Sequence, residues 1–285
     1  MTGVEFCAFA LGVSVVAGAV GTLFGLGGGV IIVPALVAVG VDLKVAIGAS
    51  AVAVVANSCS GAARSLRDGM AHLRVSMFLE VATVSGALCG ALLAGVIDDR
   101  FLYLTFAAVL TLSAVALLLK NSSTVPAPPS SSSSSSSSFS LSWATRFGLV
   151  GVVVGDDGVS RPFAARRAPL ALALMLVAGV TSGMLGIGSG VLKVLAMDLA
   201  MGLPVKVSSA SSNLMIGVTA ASTAAVCALR GDVVPVVVAP VVVGVVGGSV
   251  IGARLLRVLP AARLRGAFVI VVVLIALQMA RKGFA

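Results

Sequence analysis

From Phe6 to Val41 the chain runs for 36 residues without a charged side chain. As one α-helix at about 1.5 Å per residue it would reach roughly 54 Å, against a hydrocarbon core of about 30 Å. The run carries its own breaking point: Gly25-Leu26-Gly27-Gly28-Gly29, followed five residues later by Pro34. Glycine is the poorest helix former after proline, so the helix is expected to stop here. Non-helical backbone at membrane depth is tolerated only where it is packed in protein or lines a polar cavity. The cluster returns as Gly186-Ile187-Gly188-Ser189-Gly190 inside a second overlong apolar run, 169–203. The two clusters read as the walls of one site, held face to face by the rest of the chain.

Composition supports that frame. The chain is 59% hydrophobic and 10% charged, with a mean hydropathy of +1.17, and apolar runs of spanning length recur along it. This describes an all-α polytopic membrane protein. The excess of 19 Lys and Arg over 10 Asp and Glu would suggest nucleic acid in a soluble chain. Here the basic residues lie between apolar runs, where they set topology, and no nucleic acid partner is implied. The N-terminus lacks a basic n-region, so no cleavable signal peptide is expected. Cys7, Cys59, Cys89 and Cys227 are scattered in apolar segments and imply neither metal nor disulfide.

The apolar runs are 6–41 (broken), 45–63, 75–97 and 101–119, then 169–203 (broken), 207–229, 233–253 and 266–280. They define a first transmembrane repeat (1–119), a cytoplasmic linker (120–168) and a second repeat (169–285). The linker carries Pro126-Ala127-Pro128-Pro129 and an unbroken serine tract, 130–138. Such composition buries too little apolar surface to fold, and a disordered tether is expected. The apolar piece from Phe147 to Gly155 is too short to count as a span.

The halves repeat. A shift of 161 or 162 residues puts Gly18 on Gly179, Gly27 on Gly188, Ser50 on Ser212, Gly86 on Gly248 and Gly90 on Gly252. Broken segments at matched places point to a secondary transporter with its site at the repeat interface. If each broken run is a re-entrant hairpin, the two four-segment repeats are inverted. That arrangement gives the stronger Lys and Arg asymmetry across the membrane and leaves both termini outside.

Each glycine cluster is followed by a short apolar segment. As half-helices these would turn their first N–H groups and positive dipole ends inward, a cradle for a small anion. Lys193 follows Gly190 by three residues in an apolar stretch. A lysine at the centre of a span costs about 2.5–3.5 kcal/mol on the insertion scale, so it should face a cavity or a partner. It either attracts the substrate or pairs with Asp198. The next segments bring Ser50 and Asn57 in the first half and Ser212 and Asn213 in the second. Serines in membrane helices usually bond back to their own backbone, which makes the asparagines the better anion donors. Glu80 either carries a coupling proton or, on the blander reading preferred here, snorkels to water or pairs with Arg74. His72, in a basic loop, reads as a surface residue. No nucleophile–base pair, metal-ligand cluster or phosphate-binding loop is present in the sequence, so no enzyme and no cofactor are implied.

At these residues the chain resembles the TauE/SafE family of membrane permeases. The matching stretches are the two glycine clusters with Pro34 and Lys193, then Met201-Gly202-Leu203-Pro204-Val205-Lys206-Val207, Ser212 to Ala220, and Arg230-Gly231-Asp232. The chain departs from the family pattern at Ser189, Leu195 and Asp198. The resemblance implies ion-driven movement of small sulfur-containing anions such as sulfite or sulfoacetate. The expected substrate contacts are Gly25, Gly27, Gly28, Gly29, Pro34, Asn57, Gly186, Gly188, Ser189, Gly190, Lys193, Ser212 and Asn213. Asp198 and Glu80 are the coupling candidates, and the expected partners are the anion, the bilayer and a coupling ion. A passive anion channel would use the same architecture.

Overall fold

In hydrocarbon every backbone N–H and C=O must be satisfied within the protein, and an apolar segment achieves this alone only as a helix. The structure, a computed structural model, describes residues 3–24, 27–67, 73–119, 150–154, 160–164, 168–188, 190–197, 205–255 and 261–284. Ten helices occur among them. In the first half these are α1 (Gly3–Phe24), α2 (Gly29–Ala38), α3 (Leu43–Arg67), α4 (Leu73–Val96) and α5 (Asp99–Leu119). In the second they are α6 (Ala168–Leu185), α7 (Gly190–Ala196), α8 (Val205–Arg230), α9 (Pro235–Leu255) and α10 (Ala261–Phe284). Each unbroken apolar run became one helix, and each broken run became two. Gly3–Thr22, Ser76–Val96 and Pro235–Gly252 are long and apolar enough to cross a membrane, with shorter apolar helices beside them. Bulky side chains such as Val96, Val81, Leu92, Leu229 and Leu274 stay exposed, as expected of helices whose outer faces meet lipid.

The linker differs from its expectation in one place. Val150–Val154 and Ser160–Ala164 pair as an antiparallel hairpin, β1 and β2, so this piece is ordered. The apolar stretch at 147–155 is β-branched valine at four of its five described positions, which suits a strand better than a span. The serine tract lies outside the described residues.

Glycine contacts fix the direction of each helix. Gly244, Gly248 and Gly252 of α9 lie against the carbonyls of Leu11, Val15 and Ala19, so α1 and α9 run parallel. Gly179 of α6 meets Thr83 of α4, and Gly90 of α4 meets Val180 of α6, again in parallel. The two pairs match contact for contact at the repeat offset: Gly86 on Leu176 beside Gly248 on Val15, and Gly90 on Val180 beside Gly252 on Ala19. At several of these positions a Cβ would overlap a backbone carbonyl of the neighbour. Small residues spaced four apart thus let the backbones touch, which dispersion favours where lipid supplies no hydrophobic drive.

Helices α3 and α8 run antiparallel. Gly48, near the start of α3, lies against the Asp232 carbonyl just past the end of α8, while Ser58 further along meets Gly217. Gly283 of α10 likewise packs on Tyr103 and Leu104 at the start of α5. One end of the bundle therefore gathers the start of α3, the ends of α4 and α8 and the end of α10. Cations cap helix C-termini there, where the dipole is negative. Lys44 Nζ donates to the Gly95 carbonyl at 3.3 Å, Arg230 to that of Ala91, and Lys282 to that of Val37 at 2.9 Å. Arg230 is held in turn by Asp232, Nε to Oδ2 at 2.7 Å.

Gly90→Val and Gly183→Val should each cost more than the ~1–3 kcal/mol of ordinary overpacking, because backbone and not side chain must move. Gly247, with nothing within 4 Å of its would-be Cβ, should accept valine within about 0.5 kcal/mol. Thermal unfolding of the three variants in detergent checks this ranking.

Candidate functional site

Helix α1, at 22 residues, reaches about 33 Å, whereas α2, at 10 residues, reaches only about 15 Å. Between them Gly27 and Gly28 take φ values of 76° and 84°, in the left-handed region that glycine enters without penalty. The chain folds back there. A Cβ on Gly28 would sit 2.8 Å from the Ala17 carbonyl oxygen, and one on Gly21 would sit 2.7 Å from Gly28 Cα. Helix α2 then leads from this point to the end marked by Lys44, where its last turn meets Lys282. Its N-cap is Gly28, whose carbonyl accepts from the N–H groups of Ile31 and Ile32. Pro34 sits buried inside it and withholds the bond that the Val30 carbonyl would normally receive. The second break repeats the geometry, with Gly186 at φ 65° and Gly188 at φ 75° before the seven-residue α7.

The two breaks meet. Gly29 lies against Ser50 Oγ, the Gly186 carbonyl and Ile187 Cα, and Gly186 lies against the Ile47 carbonyl. Both Gly27 and Gly188 abut the same two side chains, Val54 of α3 and Ile216 of α8, which are fully buried and occupy matched positions in the two halves. At Gly27 and Gly188 the contact is therefore apolar, whereas at Gly29 it is with a hydroxyl and a carbonyl. The branched methyls fill the space that absent glycine side chains leave.

Polar groups flank this contact, and most are already engaged. Ser50 Oγ donates to the Gly186 carbonyl at 2.9 Å, and Ser212 Oγ to that of Gly190 at 3.3 Å. The Gly186 carbonyl lies past the end of α6, where no intrahelical partner remains, whereas the Gly190 carbonyl opens α7 and takes the hydroxyl as an additional donor. Asn57 Oδ1 accepts from Thr22 Oγ1 at 2.8 Å, tying α3 to the last turns of α1. Ser58 bonds back to the Val55 carbonyl, as Ser85, Thr105 and Ser113 do in their own helices.

Lys193 is fully buried. Its Nζ donates to Thr219 Oγ1 and to the Met215 carbonyl, the latter at 3.3 Å. Thr219 Oγ1 lies 2.7 Å from Glu80 Oε1 and 2.9 Å from the Met215 carbonyl. A lysine of α7 and a glutamate of α4 are thereby joined through a threonine of α8. Glu80 is thus turned inward, against the expectation that it snorkels to water, because an ammonium fixed in an apolar bundle attracts a carboxylate within its reach. Its second oxygen, Oε2, is buried without a hydrogen-bond partner. Gly25, Ser189 and Asp198, together with the side chains of Asn213 and Arg74, lie outside the described residues, so the Asp198 and Arg74 pairings are not seen.

Thr219, Thr22, Val54 and Ile216 were not singled out from the sequence. One signal was available for Thr219, which takes the place of Asn57 in the second repeat. A charged recess lined by Lys44, Asp98, Asp99 and Arg100 lies away from this centre, at the end of α4.

With broken helices, matched halves and a buried lysine in place, comparison with known proteins is decisive about kinship. The sequence model of the sulfite exporter TauE/SafE family matches residues 10–279. The chain belongs to the TauE/SafE family. It is 24% identical over 276 residues to a protein of Bacillus subtilis (strain 168) named "Probable membrane transporter protein YunE", covering 94% of this chain and 95% of that one. No solved structure gives a significant match. As a TauE/SafE member the chain is a multi-pass membrane protein of a transporter family, and its apolar helices fit that placement.

Lys193 and Glu80 compensate each other's buried charge across the Thr219 hydroxyl, and removing one strands the other, at a cost of up to about 3–5 kcal/mol. Lys193→Met should therefore lower the unfolding temperature in detergent, and adding Glu80→Gln should restore most of the loss. A double variant no more stable than Lys193→Met would show that the two charges do not interact.

Proposed function

We propose that this protein is a secondary transporter of small anions, with sulfur oxyanions or organosulfonates such as sulfite and sulfoacetate as the substrate class. The two halves act as inverted repeats, and each glycine-broken segment acts as a re-entrant hairpin. The antiparallel course of α3 and α8 supports the inversion. The return of α2 to the end where α3 begins supports the hairpin.

The observation that carries the reading is the meeting of both glycine breaks on Val54 and Ile216, with Lys193 one turn into α7. A carrier needs a thin seal that one set of helices can open toward either side. Two branched side chains against two glycines, Gly27 and Gly188, form such a seal. The anion binds beside it, against the breaks at Gly27–Gly29 and Gly186–Gly190, with Lys193 supplying charge and Asn57, Ser212 and Asn213 supplying donors. The same apolar contact argues against a standing passive pore.

Counterflow in proteoliposomes tests the proposal. Vesicles loaded with unlabelled sulfoacetate should transiently accumulate the labelled anion, which only an exchanging carrier achieves. Equilibration without overshoot would identify a channel, and no uptake of sulfite or sulfoacetate would remove the substrate class. Lys193→Met should reduce counterflow by about tenfold or more, the scale of a lost charge-assisted contact.

A further inference from the structure

The halves share their glycine contacts, their breaks and their central apolar pair, yet one polar cluster has no counterpart. Glu80, Thr219 and Lys193 come from three helices and meet beside the second break. At the repeat offset their equivalents are Val242, Asn57 and Ile32. The matching place in the other half is thus held together with no ionisable group. Packing alone does not call for a lysine and a glutamate here, and both are costly within a bilayer.

Resting on the transporter reading above, we propose that Glu80 is the proton-binding residue that couples anion movement to a proton gradient, acting on Lys193 through Thr219. The Thr219 hydroxyl has one proton and two acceptors in reach, Glu80 Oε1 at 2.7 Å and the Met215 carbonyl at 2.9 Å. With Glu80 ionised, the hydroxyl donates to the carboxylate, and the carboxylate balances the Lys193 ammonium. A substrate anion must then compete with a resident negative charge. When a proton from the aqueous side binds Glu80 Oε2, the carboxylate becomes neutral and the hydroxyl is free to turn to Met215. Lys193 is left with its charge uncompensated, ready for the anion. Release of the anion on the other side restores the pairing and expels the proton.

Among the described side chains of the helices packed around this pair, no other titrating group bonds to it. Helix α6, packed along α4, carries no ionisable residue from Ala168 to Leu185. On α8 the ionisable residues are Lys206 near one end and Cys227 and Arg230 near the other, and on α7 the residue is Lys193 itself. On α4 the remaining ones are Arg74 and Cys89. Arg230 is engaged with Asp232 at the far end of the bundle.

Two measurements on the full-length protein test the proposal. Infrared difference spectra between acidic and alkaline buffer should contain a carboxylic-acid carbonyl band that disappears in Glu80→Gln and shifts in Thr219→Val, which keeps the side-chain shape without the hydroxyl. This readout needs no substrate, and a difference spectrum unchanged by Glu80→Gln would overturn the proposal. In proteoliposomes, labelled sulfoacetate keeps a constant charge above about pH 6, its carboxyl titrating near the ordinary range. Wild-type protein should accumulate it against its gradient when an inward proton gradient is imposed. Glu80→Gln should keep counterflow within about threefold while losing about tenfold or more of the gradient-driven accumulation. Equal gradient-driven accumulation by wild type and Glu80→Gln would refute proton coupling through this residue and leave the carrier intact. Loss of counterflow in every form would instead strike the transporter reading for this anion, with the infrared band still deciding whether Glu80 binds the proton.

Discussion

The structure turns on what happens to peptide groups when a helix is interrupted far from water. A broken helix exposes N–H and C=O groups whose desolvation is costly, and only other protein groups can satisfy them. Here the breaks are placed against each other, so the liability of one becomes the support of the other. Glycines at positive φ let the chain reverse without side chains in the way. Ser50 and Ser212 then take carbonyls of the second break, at Gly186 and Gly190. Val54 and Ile216 fill what remains.

Charge is managed with the same economy. The cations at one end, Lys44, Arg230 and Lys282, sit on carbonyls in the last turns of helices, where the dipole is negative. Lys193 is different in kind. It lies in the last turn of the short α7, fully buried, and its burial is tolerable because a hydroxyl and a carbonyl accept from its ammonium and a carboxylate lies just beyond that hydroxyl. Such a cluster is expensive to assemble in hydrocarbon, which sets it apart from the apolar packing around it.

Much of this was legible before any coordinates. Apolar runs too long for one helix located both breaks, because length against bilayer thickness is a hard constraint. Lys193 announced its burial by standing alone among apolar residues. What stayed hidden follows from distance and sameness. Val54 and Ile216 are apolar residues in apolar helices and carry no signal of their own. Thr219 matters because two long side chains from other helices reach it, a fact of packing that no local pattern contains. Glu80 sits only a few residues from Arg74, which made an exposed or locally paired side chain the natural reading. The strand pair at 150–164 escaped because a nine-residue apolar piece was weighed only as a span, and its partner strand contains Arg161 and Pro162.

The crossed pairing of helices bears on how the chain is made. Helix α1 finds its backbone contacts on α9, more than two hundred residues later in synthesis, and α4 finds its contacts on α6 only after the long linker has emerged. Contacts this remote in sequence are slow to form and leave early segments without partners in the meantime. Helix α1 therefore waits in the bilayer with the face that meets α9 uncovered until the ribosome has nearly finished. Biogenesis, more than the finished fold, is where truncation or stalled translation would do harm.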